Sequence, residues 1–348
     1  MSLFDFELNF DFDRPVRILQ LSDIQVIDSE QQRFPARLSE REHENWLPSR
    51  KEFHYKECVR KTIETYKPDF IFTVGDNVYG EFDDSGRSQL DFTEFMDSFG
   101  IPWSPIYGNH DNESLMGADW QSECYENAHN CLFRQNSISG NSNYNVLIKC
   151  RNKPLRAFWF VDSNACGAMS EQTALNGHSP KIVGMAEDQI TWLKERADEI
   201  KALYPDIKFS FATHVQLNVF AKRLEELGLK DKLPHNFDLD NDGENFGYAG
   251  TFTPGWDGDE RVFNMLRDLG FDSIFVGHEH QDSYSVVYKG VRLTFGQKSS
   301  SYDKINYFTG DEANYSATYL RQEKPVWGGT VMELDGKGGL INMGLWKV

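Results

Sequence analysis

The chain reads as an α/β protein in which two mixed β-sheets pack face to face with helices on both outer sides, a four-layer α/β/β/α arrangement. Three observations lead there. Strand-like runs alternate with helical stretches from about residue 16 to 107 and again from 186 to 276. Such alternation belongs to mostly parallel sheets whose ligands gather at the carboxyl ends of the strands. From 283 onward, short apolar runs separated by glycine turns suggest a closing β-meander.

The elements follow in order. Residues 16–21 (Val-Arg-Ile-Leu-Gln-Leu) form a β-type run ending at Ser22-Asp23, and 70–74 (Phe-Ile-Phe-Thr-Val) a second, ending at Gly75-Asp76. Between them 52–66 carries helical spacing, closed by Lys67-Pro68, and 92–99 is a helix before a third strand, 105–107, that leads into Gly108-Asn109. Residues 144–149 and 155–162 read as neighbouring strands. The strongest helix is 186–203, with Ile190, Leu193, Ala197, Ile200 and Leu203 at three- and four-residue steps. It feeds a strand at 208–213 ending at His214, and a second amphipathic helix at 262–269 feeds a strand at 273–276 ending at Gly277-His278. The expectation is a single domain over 1–348, interrupted by lid-like insertions near 26–51, 163–185, 215–260 and 297–325.

Composition narrows the function classes. A net charge of −18 disfavours a surface that neutralises duplex nucleic acid, which needs clustered Lys and Arg. No apolar run approaches the ~20 residues that span a bilayer, and residues 1–14 lack a basic start and apolar stretch. A cytoplasmic location is the expectation, with secretion after removal of a leader as the alternative. The five cysteines show no Cys-x-x-Cys spacing, which fits reduced thiols rather than a disulfide framework or a thiolate zinc site.

The chemistry lies in five short segments: Ser22-Asp23-Ile24-Gln25, Gly75-Asp76-Asn77-Val78-Tyr79, Gly108-Asn109-His110-Asp111, Thr213-His214 and Gly277-His278-Glu279-His280. Each puts a hard oxygen or an imidazole beside a strand end. A lone Asp there is most often a helix cap, and His-x-His alone is two faces of a strand. Together, two carboxylates, an amide and three imidazoles match the needs of two cations held about 3.5–4 Å apart around a bridging carboxylate.

In these segments the chain resembles the calcineurin-like metallophosphoesterase superfamily, over about residues 17–281. The resemblance implies the metallophosphoesterase fold and a dinuclear metal-dependent phosphatase. Asp23, Asp76 and His280 would hold the first metal and Asn109, His214 and His278 the second, with Asp76 bridging. His110 would be the catalytic residue near the leaving group, oriented by Asp111. A hydroxide activated by the metals would attack the phosphate ester, a monoester by preference, in line. A phosphodiesterase acting on a small nucleotide or lipid headgroup is the alternative, ahead of a catalytically silent binding protein with the same fold. The substrate partner would be a small-molecule or phosphoprotein phosphate ester.

One position departs from the pattern. Where the superfamily usually has His two residues after the first Asp, this chain has Gln25, which offers only a weak amide oxygen. Tyr79, three residues after Asp76, makes a Gly-Asp-x-x-Tyr run similar to the phenolate motif of purple acid phosphatases, and the style of the motifs resembles the intracellular purple-acid-phosphatase-like branch. Tyr79 is therefore either a ligand or an aromatic packed under the loop. The metals would be Mn, Fe or Zn, with Fe favoured beside Asp23 if Tyr79 ligates. A further acidic run, 238–243, resembles half of a calcium loop without its closing Glu, and reads as a solvated turn.

Overall fold

A computed structural model describes residues 2–28, 54–80, 83, 85–165, 184–232, 237–239, 242, 244–300 and 328–348. The insertions expected near 26–51, 163–185 and 297–325 lie largely outside the described residues, as do Cys166, Asp240, Asn241 and Gly243. The described part begins with β1 (Phe6–Phe10), β2 (Val16–Leu21), α1 (His54–Tyr66), β3 (Phe70–Thr73), α2 (Arg87–Asp97), β4 (Trp103–Ser104) and α3 (Gly117–Asn127). There follow β5 (Asn143–Cys150), β6 (Lys153–Val161), α4 (Glu187–Leu203), β7 (Lys208–Ala212), α5 (Val219–Glu226), β8 (Phe237–Asp238) and β9 (Phe246–Ala249). The last are α6 (Arg261–Asp268), β10 (Phe271–Val276), β11 (Ser283–Tyr288), β12 (Val291–Phe295), β13 (Gly328–Leu334) and β14 (Leu340–Lys347).

These strands make two mixed sheets, one in the order β1-β5-β6-β7-β10-β12-β11-β9-β8 and the other β14-β13-β2-β3-β4. Strands β6, β7, β10 and β12 run parallel to one another, as do β2, β3 and β4. Their carboxyl ends therefore point the same way within each sheet. Two tight hairpins complete the pattern. Arg151 and Asn152 (φ 50° and 62°) turn β5 into β6, and Lys289 and Gly290 (φ 47° and 80°) turn β11 into β12, the left-handed pair that matches strand twist.

Alternation sorts the side chains between layers. Phe70 and Phe72 of β3 meet Phe158 and Phe160 of β6 and Phe275 of β10 across the inter-sheet space, with ring centroids 5.4–5.9 Å apart. The intervening Trp159 faces the other way, toward Trp192 of α4 at 5.4 Å. Leu193, Ala197 and Ile200 of α4 and Val262, Phe263 and Leu266 of α6 bury their stripes in that outer layer. Tyr55, Val59 and Ile63 of α1 and Phe92, Phe95 and Met96 of α2 belong to the core of the five-stranded sheet. The result is the four-layer order expected.

Polar pins fix how the two sheets sit. Arg156 of β6, 1% exposed, donates to Gly338 O (2.9 and 2.7 Å) in the turn before β14 and pairs with Asp272 at 2.6 Å. Gln20 of β2 donates to Val276 O of β10 at 3.2 Å, beside the carboxyl ends.

Three expectations need correction. The third strand is β4, two residues long and earlier than 105–107, because Pro105 has no N–H to give a ladder. The closing run is no simple meander. β12 pairs with β11 and β10, whereas β13 crosses to the other sheet between β14 and β2, which the long separation after Phe295 permits. Part of the 215–260 insertion is regular structure: α5 packs in the outer core, and β9 pairs with β11 to extend the larger sheet. β1 and β14, at the ends of the chain, were not anticipated.

Phe72 meets the rings of Phe158, Phe160 and Phe275 on the facing sheet. Phe72→Ala should destabilise the fold by about 3–5 kcal/mol, measured as a lower urea midpoint with an unchanged slope.

Candidate metal centre

The five motif segments lie at the carboxyl ends of β2, β3, β7 and β10 and in the stretch after β4, so each sheet contributes to one site. Main-chain hydrogen bonds zip the loops together. Gln25 N donates to Asp76 O (2.8 Å), Val26 N to Asn77 O (2.9 Å) and Tyr79 N to Val26 O (2.8 Å). Across the other sheet Gly277 N donates to His214 O at 2.9 Å. The seam between sheets is closed by His278 N, 3.2 Å from both carboxylate oxygens of Asp23.

The loops are strained to do this. Asp23, Gln25 and Asp76 each have φ of 51° and His278 has φ of 78°, in the left-handed region where a side chain costs energy. Two glycines are required by contact. A Cβ on Gly75 (φ 92°) would stand 2.6 Å from His214 Nδ1, and one on Gly108 would stand 2.2 Å from Asp76 Oδ1.

One atom from each of Asp23, Asp76 and His214 lies within 4.8 Å of the others, all buried. His214 Nε2 is 3.4 Å from Asp76 Oδ1, and His280 Nε2 is 3.4 Å from Asp23 Oδ1. Asn109 Oδ1 lies 3.0 Å from His214 Nε2 and 2.8 Å from His278 Nδ1. Because Val74 O takes the Nδ1 proton of His214 at 2.7 Å, Nε2 is the ring atom turned toward the Asn109 and Asp76 oxygens. That convergence is favourable around a cation, and these oxygen and imidazole donors suit one. Gln25 reaches the same place, its Nε2 donating to Asp76 Oδ2 at 3.2 Å.

Electrostatics follow the same logic. Burial works against charge on Asp23, yet the hydrogen bond and charge of His280, with His214 and Lys298, hold its carboxyl below the usual range. Burial likewise opposes charge on Asp76, and His214 and His110 keep it ionised. His214 is raised despite burial by Asp76 and Asp23, while burial and His214 push His278 down. Lys298 donates to Asp23 O at 2.7 Å, Ser300 Oγ to Ile24 O at 2.7 Å, and Ser22 Oγ to the Asp23 carboxylate.

The surroundings of His110 differ from the sequence expectation. Asp111 does not orient it. The Asp111 carboxylate accepts the N–H groups of Asn77 (2.9 Å), Val78 (3.0 Å) and Gly108 (2.6 Å), tying the second and third motif loops together. Burial and nearby Asp76 push its pKa up to about 7. Glu113 takes the orienting role instead, its carboxylate 2.8 Å from His110 Nδ1. A single 3-10 turn, Asp111–Glu113, brings it round, since residues three apart eclipse in that helix. One face of the ring is stacked on Tyr79, centroids 4.0 Å apart and 22° from parallel, and Nε2 faces Asp76 Oδ2 at 4.0 Å. Glu113 escaped the sequence reading because the motif ends at Asp111; His-x-x-Glu spacing was the available signal.

A model of the calcineurin-like phosphoesterase family matches residues 16–282. The chain belongs to that family. Among curated relatives, probable inactive purple acid phosphatase 29 of Arabidopsis thaliana is 24% identical over 83% of this chain and 73% of its own length. Probable inactive purple acid phosphatase 14 of the same plant is 33% identical over 43% of this chain. The phosphatase DCR2 of Saccharomyces cerevisiae is 24% identical over 65% of it. The chain spans only 39% and 38% of the length of these last two. Among solved structures, a dimetal phosphatase from Danio rerio superposes with a TM-score of 0.52 at 13% identity, covering 93% of this chain and 94% of that one. That likeness concerns the fold.

Calcineurin-like phosphoesterases are metal proteins, and the buried Asp23, Asp76 and His214 lie close enough together to hold a metal ion. Among the described residues no helix is long and apolar enough to cross a membrane. Among the cysteines described, Cys124, Cys131 and Cys150 are free thiols. In the acidic run, exposed Asp242 accepts the N–H groups of Glu244 and Asn245 at 2.9 and 2.7 Å, a turn contact.

The two carboxylates after His110 should separate in experiment. Asp111→Ala should lower both bound metal and thermal midpoint, because it releases three N–H groups, whereas Glu113→Ala should keep the metal and lose turnover about tenfold or more. Elemental analysis alongside steady-state kinetics distinguishes them.

Proposed function

We propose that this chain is a dinuclear metal-dependent phosphatase acting on phosphate monoesters. The observation that carries the reading is the convergence of Asp23, Asp76 and His214, joined by Asn109 and His278, at one seam of strand ends. Asp23, Asp76 and His280, with the Gln25 amide, would hold one ion. Asp76, Asn109, His214 and His278 would hold the other. When bound, the ions supply Lewis-acid polarisation of the phosphoryl group and a water of lowered pKa. Carboxylate, amide and imidazole donors suit Mn, Fe or Zn.

The chain's own contribution is placement. His110, fastened through Nδ1 to Glu113 and flanked by Tyr79, directs Nε2 toward the centre, where it would donate a hydrogen bond or a proton to the ester leaving oxygen. The stacking of Tyr79 on His110 supports the packing role over phenolate ligation. Tyr79→Phe should then keep two metals per chain, and the unaltered protein should show no tyrosinate charge-transfer band in its visible spectrum. A band lost in Tyr79→Phe would place iron beside the phenolate instead.

The defining experiment compares 4-nitrophenyl phosphate with bis(4-nitrophenyl) phosphate on chelated and metal-loaded protein. Loaded protein should hydrolyse the monoester faster, and chelated protein neither. His110→Ala should keep both metals while monoester turnover falls about tenfold or more. A metal-loaded protein inert toward both esters would overturn the reading.

A further inference from the structure

Away from the metal centre, toward the amino ends of β10 and β12, two arginines line one small cavity that holds a single carboxylate. Its volume is about 190 Å³, and its walls include Arg156, Asp272, Ser273, Val287, Arg292 and Leu340. Ser273 of β10 and Val287 of β11 are the register neighbours of Arg292 on either side. Val291 and Leu293 turn into the outer core, so Arg292 between them points to the opposite face of the sheet, where Leu340 of β14 closes the cavity. Ser273 precedes Gly277 by four residues, which places the row about 13 Å along the strand from the metal-centre loop.

The two guanidinium groups differ in what they already hold. Arg156 is committed to the fold: its N–H groups go to Gly338 O, Phe209 O, Ser210 Oγ, Ser273 Oγ and both Asp272 oxygens at 2.6–3.2 Å. Arg292 gives Nη1 to Glu244 O (2.9 Å) and Ser285 Oγ (3.1 Å), both neutral acceptors. Among the described residues no carboxylate forms an ion pair with Arg292, and its Nε and Nη2 have no hydrogen-bond acceptor. A partly buried charge without a counter-charge is costly. Burial accordingly pulls the Arg292 pKa down, with the Glu244 charge acting the other way.

We propose that this cavity is a second, metal-independent anion site that takes inorganic phosphate on the free Nε–Nη2 edge of Arg292. That edge is the one with which a guanidinium grips two oxygens of a phosphate at once. Two guanidinium groups against one carboxylate leave the cavity positive, in a chain whose net charge is −18. The space falls below the roughly 300–1,000 Å³ of sites for drug-sized ligands, so a small free oxyanion fits it better than a nucleotide does. The site owes nothing to the metal ions and stands or falls apart from the phosphatase reading.

Calorimetric titration of the full chain with inorganic phosphate, metal-loaded and then chelated, tests this. The loaded chain should bind two phosphates and the chelated chain one, and the thermal midpoint of the chelated chain should rise with phosphate concentration. Arg292→Gln should weaken the metal-independent binding about tenfold or more and leave hydrolysis of 4-nitrophenyl phosphate by the loaded chain unchanged. Arg292→Lys, which keeps the charge and loses the fork, should recover part of the affinity. Val287→Glu, which brings a carboxylate to Arg292, should abolish the binding. A chelated chain that binds no phosphate, binding that persists unaltered in Arg292→Gln or Val287→Glu, or hydrolysis lost with Arg292→Gln would overturn the proposal. None of these outcomes bears on whether the strand-end centre holds two ions.

Discussion

Asp23 and Asp76 are 2% and 1% exposed, two carboxylates held out of water at the seam between the sheets. Taking an ion out of water costs on the order of several kcal/mol even after relaxation, so every other feature of this region answers to their need for positive charge. His214 and His280 approach them, and His278 offers its main-chain N–H to Asp23. Bound cations would meet the need more fully than imidazoles do. The fold is thus organised around a charge deficit as well as around its aromatic core.

The backbone records the same demand. Four non-glycine residues of the motif loops adopt left-handed conformations, which the surrounding structure must enforce. It does so by lacing loops to one another. Asp111 gathers three N–H groups from two loops, and Lys298, Ser299 and Ser300 take main-chain groups of residues 22–24 from the side of the larger sheet. The inter-sheet phenylalanines below hold the two sheets at a fixed spacing, so strand ends from both arrive together. Packing, strain and ligand geometry are one problem solved once.

Much of this was legible in the sequence because strand-end motifs are local. Asp23, Asp76, Asn109, His214, His278 and His280 were read from short segments, and the structure gathers them. What escaped was nonlocal or lay just beyond a motif. The crossing of β13 to the other sheet depends on a long separation that carries no register. β14 is a half-exposed edge strand with weak alternation, and β1, though its Phe-Glu-Leu-Asn-Phe run alternates, is a half-exposed edge strand of only 5 residues. Asp111 was given a role by adjacency, but a 3-10 turn points it at backbone and brings Glu113 to the imidazole. Tyr79 could have been ligand or packing by sequence; only the ring-on-ring geometry shows what it touches.

As proposed, the strand ends of two sheets build one centre for two ions sharing Asp76. Anomalous diffraction from crystals of the metal-loaded chain tests it most directly. Two peaks should flank Asp76, one against Asp23 and His280 and the other against Asn109, His214 and His278. A single peak at full loading, or peaks remote from Asp76, would contradict it.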